Sequence, residues 1–240
     1  MRPIFSFLAV GGLVAVAFAA GADLKYTKHK VNRDARGKWD ADTTYVHFNS
    51  SSAVTNLANR EIKSQALMDI ARFRTDAAKQ MADSPDSMRP YAFIEQPTVT
   101  LARANLISGY FEINDFFGGA HGRETYRRFS FGLVNGKARR LKLADFFKKG
   151  VDARATLSAL VIGKLKNRDG ADWVKEGQVK ELDATTCGSF VVTSTGFEYI
   201  FEPCVMGPYA AGSFDVAIPL SELKDKLDSA GPLKALGIRR

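Results

Sequence analysis

The chain has 240 residues, 45% of them hydrophobic and 25% charged, with a formal net charge of +8. This ordinary globular balance supports a sizeable core, so the fold should not depend on covalent staples. The positive charge is spread along the chain without a nucleic-acid motif, which argues against a nucleic-acid partner. It fits either general solubility or attraction to anionic partners such as acidic polysaccharide or acidic proteins.

The N-terminus carries one positive charge, Arg2, then an apolar run from Ile4 to Ala20 and small residues. This is the three-part layout of a secretory signal peptide, assigned to residues 1–22. Ala17-Phe18-Ala19 and Ala20-Gly21-Ala22 both fit the small-x-small cleavage rule. The run is short and Ala/Gly-rich for a membrane span. No cysteine adjoins it to take a lipid, and no later segment is long and apolar enough to span a bilayer. A periplasmic or secreted protein is expected, with membrane contact only if the signal stays uncleaved.

Residues 23–42 are polar and read as a leader that partly joins the fold. Thr43 to Phe48 alternates as a short strand. From Leu57, Ala58, Ile62, Ala66, Ile70, Phe73, Ala77 and Met81 recur at helical steps, so one amphipathic helix is expected. Thr55 or Asn56 would start it and Ser84-Pro85 end it. Val99 to Arg103 and Ile107 to Asn114 read as a strand pair. Tyr126 to Val134 is a third strand, with Phe129, Phe131 and Leu133 on one face. Asn135-Gly136 then predicts a hairpin.

Leu141 to Phe147 predicts a short helical piece. Asp152 caps a second amphipathic helix carrying Leu157, Leu160, Val161 and Leu165, and another helical stretch is expected from Trp173 to Glu181. Strands follow at Ser189 to Thr193, Phe197 to Glu202 and Phe214 to Ile218. Helices and antiparallel hairpins in separate runs give an α+β class, an antiparallel sheet and hairpins packed with two main amphipathic helices. The chain divides into the signal, a helix-and-strand part over 23–118, a hairpin-rich part over 119–226 and a tail over 227–240.

Cys187 and Cys204 are the only cysteines. With Thr195-Gly196 as a two-residue turn, Val192 faces Tyr199 and Phe190 faces Phe201, the favourable apolar arrangement. The same register sets Cys187 opposite Cys204 in a non-hydrogen-bonded pair, about 4.5 Å between Cα atoms, and predicts a disulfide.

Two loops are distinctive: Gly118-Gly119-Ala120-His121-Gly122, and Pro208-Tyr209-Ala210-Ala211-Gly212 followed by Ser213 to Leu223. Between them lie Leu133 to Lys137 and Leu141 to Phe147. This order resembles an uncharacterised exported-domain family. That family occurs in the extracytoplasmic part of RsiV-type anti-sigma factors and in the region preceding the catalytic domain of PdaC-type peptidoglycan deacetylases. The resemblance spans about Thr43 to Leu223 and implies an α+β fold and an association with the cell envelope. Some relatives bind lysozyme, but this chain is basic, a poor match for a basic partner. It also lacks an evident sigma-binding segment or deacetylase domain.

Gly118, Gly119 and Gly122 read as backbone choices, and Pro208 and Gly212 as structural positions of the second loop. His121 is either a satisfied structural histidine or a reactive one. Three histidines without metal-ligand spacing argue against zinc, and no cofactor is expected. Tyr209 either stacks on a ligand or buries its ring and ties its hydroxyl to a neighbouring loop. Glu112, Asp115 and Glu124 are read as pairing with Arg123, Arg127 and Arg128. Ser221 to Lys224 has Ser-x-x-Lys spacing without its companion motifs, and Ser221 is expected to cap a short helix after Pro219.

The reading that results is a non-enzymatic envelope binding module for a wall polymer, an envelope protein or an anionic ligand. Its candidate surface is His121, Tyr209, Arg123, Arg127 and Arg128. The alternatives are a hydrolase or transferase using His121 with a carboxylate, and a membrane-anchored sensor.

Overall fold

A computed structural model describes residues 23–236 other than 224; the predicted signal peptide lies outside them. The leader is more structured than expected. Tyr26–Ala35 forms strand β1 and pairs antiparallel with β2, Trp39–Phe48, along its whole length. β1 is polar and exposed, so backbone pairing rather than burial holds it. Helix α1 runs from Ala53 to Asp83, four residues earlier at its start than the apolar steps indicate. Ser52 is the cap, its hydroxyl accepting from the Thr55 amide, which satisfies one of the unpaired first-turn donors. Ala58, Ile62, Ala66, Ile70, Phe73 and Ala77 form its buried stripe as predicted.

Four more strands complete one sheet: β3 (Tyr91–Arg103), β4 (Leu106–Phe116), β5 (Arg123–Val134) and β6 (Lys137–Arg140). Strand order follows the chain, and every pair is antiparallel except β2 with β3. The hairpin between β5 and β6 turns at Asn135 and Gly136, both at positive φ (51° and 75°). These are the left-handed conformations that an Asn-Gly turn supplies.

Alternation along the strands gives the sheet two faces with different duties. Ile107, Phe111, Phe129 and Phe131 pack with Val54, Ala58 and Ile62 of α1. On the other face Ser108 and Ser130 share a hydrogen bond of 2.8 Å, and Ser108 accepts the amide of Val192 at 2.8 Å. Val192 belongs to a second sheet of β7 (Phe190–Val192), β8 (Gly196–Phe201) and β9 (Phe214–Pro219), in that order. Helix α2, Ala153–Leu165, shares the large core with this small sheet, and Asp152 caps it through the Ala155 amide. The molecule is thus layered: α1, the large sheet, then the small sheet with α2. α1 and α2 are the two main helices.

The sequence reading departs from the structure in several places. Trp173 to Glu181 is not one helix. It holds a single turn, α3 (Asp172–Lys175), and a further turn, α4 (Ala184–Cys187), follows. Ser221 lies inside a 3-10 turn, Leu220–Glu222, with no side-chain cap.

The β7–β8 register is displaced by two residues, pairing Phe190 with Tyr199 and Val192 with Phe197. Ser194-Thr195 is therefore the turn, and Gly196 lies within β8. A Cβ on Gly196 would stand 2.1 Å from the Ile218 carbonyl oxygen. Its glycine serves the close approach of β9 rather than the turn. The predicted disulfide falls with that register. Cys187 ends α4 and is buried, Cys204 is exposed, and both are free. Burial raises the pKa of the Cys187 thiol, which makes it less reactive.

Two predictions follow from these packing details. A thiol reagent should modify Cys204 quickly and Cys187 only on unfolding, as followed by mass spectrometry in native and denaturing buffer. At Gly109 a Cβ would come within 2.3 Å of the Thr98 carbonyl oxygen and 2.8 Å of the Phe129 ring. Gly109→Ala should therefore destabilise by about 1–3 kcal/mol, the usual cost of overpacking, measured by urea denaturation.

Candidate functional site

A groove runs along α1 where the helix leaves the large sheet partly uncovered. Its upper section, about 240 Å³, is lined by Glu61, Gln65, Met68, Phe111, Arg127 and Arg140, among others. A middle section of similar size shares Gln65 and Arg127 with it and continues past Asp69 and Phe93. A wider lower section, about 590 Å³, shares Asp76, Asp115, Phe117 and Arg123 with the middle and reaches His121.

Arg127 sits where the upper and middle sections meet. Its guanidinium donates to Asp69 on α1 and to Glu95 on β3. It also lies 4.6 Å above the Phe111 ring centroid, a favourable cation–π position. Two carboxylates around one guanidinium leave an excess negative charge in a buried place. Glu95 is fully buried, and desolvation raises its pKa to about 7 against the opposing pull of Arg127. Its Oε2 has no hydrogen-bond partner among the described residues, and neither has the Oγ1 of Thr43, directly across on β2. A carboxylate with a bare buried oxygen is costly, and protonation lowers that cost.

The five predicted site residues do not form one surface. His121 and Tyr209 do meet: their rings stack with centroids 4.2 Å apart. The Tyr209 hydroxyl donates to the Gly122 carbonyl at 3.2 Å, and His121 Nδ1 lies 2.9 Å from the same oxygen. The two distinctive loops are therefore clasped together through the Tyr209 hydroxyl, while Tyr209, 45% exposed, is not buried as its structural alternative also required. Gly118 makes the tight turn before His121, at φ 82° and against the Met88 backbone.

Arg123 pairs with Asp115 at 2.6 Å, as expected, at the groove's lower end. The other two pairings differ. Arg127 turns inward to Asp69 and Glu95 instead of to Glu112 or Glu124. Arg128 points to the opposite face of the sheet, where it bonds Glu202 at 2.6 Å and the Ile200 carbonyl. Alternation on β5 places neighbours 127 and 128 on opposite faces, which a sequence cluster of arginines conceals. Glu112 accepts from Asn114, and Glu124 from the Tyr126 hydroxyl.

Sequence reasoning also missed Arg140, Gln65, Asp69 and Glu95. An acidic residue inside an apolar strand, Glu95 between Ile94 and Val99, is the one local signal that marks a buried charge. Among the described residues no group of three or more His, Cys, Asp or Glu could hold a metal, and no helix is long and apolar enough to cross a membrane.

These features define a layered α+β domain with a long polar-and-aromatic groove. Residues 144–221 match the family described as "Protein of unknown function (DUF3298)". That stretch contains α2 and the small sheet, and the groove lies outside it. A DUF3298 family member from Bacteroides fragilis NCTC 9343 is similar in structure, with a TM-score of 0.59 at 16% identity, covering 88% of this chain and 96% of that one. A DUF3298 family protein from Pseudomonas aeruginosa PAO1 gives a TM-score of 0.60 at 15% identity, covering 91% and 99%. The shared fold thus extends over the groove-bearing layer as well. A comparison with curated proteins gives no match.

The raised pKa of Glu95 fixes the sign of a pH effect. The folded state holds this proton more tightly than the unfolded chain, so Glu95 makes stability fall as pH rises from about 4.5 through 7. The full loss is about 3 kcal/mol at roughly 1.4 kcal/mol per pKa unit. Glu95→Gln should remove this component, so the variant should gain on the parent between pH 5 and 8. Parallel urea denaturation at several pH values checks it. Parallel curves for the two proteins would count against it.

Proposed function

We propose that this chain is an exported, non-enzymatic binding domain of the cell envelope that holds an extended polypeptide segment in the groove along α1. The observation that carries the reading is the continuity of the groove, whose three sections share lining residues from Glu61 to His121. A linear occupant suits that shape. Polypeptide suits its lining better than sugar does. Acidic and basic side chains alternate along it, while its phenyl rings at 111, 129 and 131 are buried and present little face for stacking. The imidazole of His121 is turned to Tyr209 and the Gly122 carbonyl rather than to a carboxylate, which favours a structural role for it.

The envelope address rests on the N-terminal signal pattern. It also rests on the resemblance of the two loop motifs to extracytoplasmic domains of RsiV-type anti-sigma factors and to the non-catalytic region of PdaC-type deacetylases. The test is a selection of random 12-residue peptides displayed on phage against the signal-less chain. It is repeated with Gln65→Trp, which fills the waist between the upper and middle sections. Enriched peptides should bind the parent at micromolar concentrations and lose at least tenfold on Gln65→Trp. No enrichment, or equal binding to both proteins, would sink the groove reading. Mass spectrometry of the exported form should find an N-terminus after Ala19 or Ala22.

A further inference from the structure

The upper end of the groove carries a charge that the fold does not neutralise. Arg140, on edge strand β6, has no carboxylate within 4.0 Å among the described residues. Its one hydrogen bond is to the Arg128 carbonyl at 3.2 Å. Its guanidinium lies 5.6 Å from the Phe131 ring centroid. Arg127 sits over Phe111 in the same section, and Phe129 joins the two rings into a row, with centroids 5.7 and 6.0 Å apart. The row is thus bounded by a guanidinium at each end.

The two guanidiniums differ in what they have left to give. Arg127 is spent on Asp69 and Glu95. Arg140 is not. Desolvation lowers its pKa, with Glu61 opposing and Arg127 adding to the effect. Arg140 is an exposed residue, and the fold supplies no anion to its guanidinium at this wall among the described residues. Its planar fork matches a carboxylate with two parallel hydrogen bonds.

The space is about 240 Å³, below the roughly 300–1,000 Å³ of sites that enclose a whole small molecule. It suits an end group. The aromatic row is buried, and the exposed side chain of Met68 supplies the apolar surface beside the fork.

We infer that the Arg140 end of the groove is a carboxylate subsite that takes the C-terminus of an extended peptide whose last side chain is apolar. This rests on the groove reading and gives it polarity: the C-terminus lies at Arg140 and the chain runs toward His121. Glu61, which lines the same section, stands in the way of a second negative charge.

The test uses the signal-less chain labelled with ¹⁵N and two probes, acetyl-Gly-Ser-Ala-Ser-Ala-Leu as the free acid and as the C-terminal amide. Chemical-shift titration reports affinity and place together. The acid should bind at least tenfold more tightly than the amide and shift amides around Gln65, Phe131 and Arg140. In Arg140→Ala the acid should weaken to the level of the amide, whose own affinity should hardly change. Arg140→Lys keeps the charge without the fork and should fall between. Glu61→Gln should strengthen the acid. Unchanged spectra away from the groove show that each variant is folded. Equal affinity of the two probes for the parent, or a preference that survives Arg140→Ala, overturns the carboxylate subsite and leaves the groove reading standing. Failure of both probes to shift any groove residue overturns both.

Discussion

One guanidinium holds the groove-bearing face together. Arg127 reaches from β5, between β4 and β6, to Asp69 on the helix and Glu95 on a strand two positions away, with Phe111 beneath it. Removing one partner of such a buried set leaves a charge without compensation, at a cost of about 3–5 kcal/mol. The bridge spans the groove where its upper and middle sections meet, and joins α1 to the sheet there by charge rather than by apolar contact. The second carboxylate is the counterpart of that arrangement, and its burial, more than the charge of Asp69, is why Glu95 retains its proton near neutrality.

The two faces of the large sheet differ in what covers them. The face toward the small sheet is stitched by Ser108, Ser130 and Arg128 to the Val192 amide, the Ile200 carbonyl and Glu202. Within that set only Arg128 Nε is buried without a hydrogen-bond partner among the described residues. The face toward α1 is bridged at its centre by Arg127, where Glu95 Oε2 and Thr43 Oγ1 still lack partners among the described residues, with Arg140 unmatched at one end and the His121–Tyr209 clasp at the other. Tyr209 comes from the small-sheet layer, so the clasp also ties the tip of the β4–β5 hairpin to the far side of the molecule.

Patterns confined to one element were legible in the sequence. The buried stripe of α1, the Asp152 cap, the Asn135-Gly136 turn and the inward phenylalanines of β5 each follow from a local period or a local conformational preference. Failures arose where two elements decide together. The β7–β8 register looked right because it matched aromatic with aliphatic residues and aligned the cysteines. The third strand, β9, overruled it by pressing its backbone against Gly196. Likewise, β1 has almost no buried residue, so no apolar period announces it, and only its partner β2 makes it a strand. The paired loops were legible as a unit, but the arginines around them were not, since strand alternation sends adjacent side chains to opposite layers.

The length of α1 gives the groove a scale. From Glu61 to Asp83 a helix advances about 33 Å at 1.5 Å per residue. An extended chain covers the same span with about ten residues at roughly 3.3 Å each. The helix is therefore a ruler laid beside the groove. On the proposed groove reading, a segment shorter than that would reach only one end, and any selectivity by length would come from the extent of the helix itself.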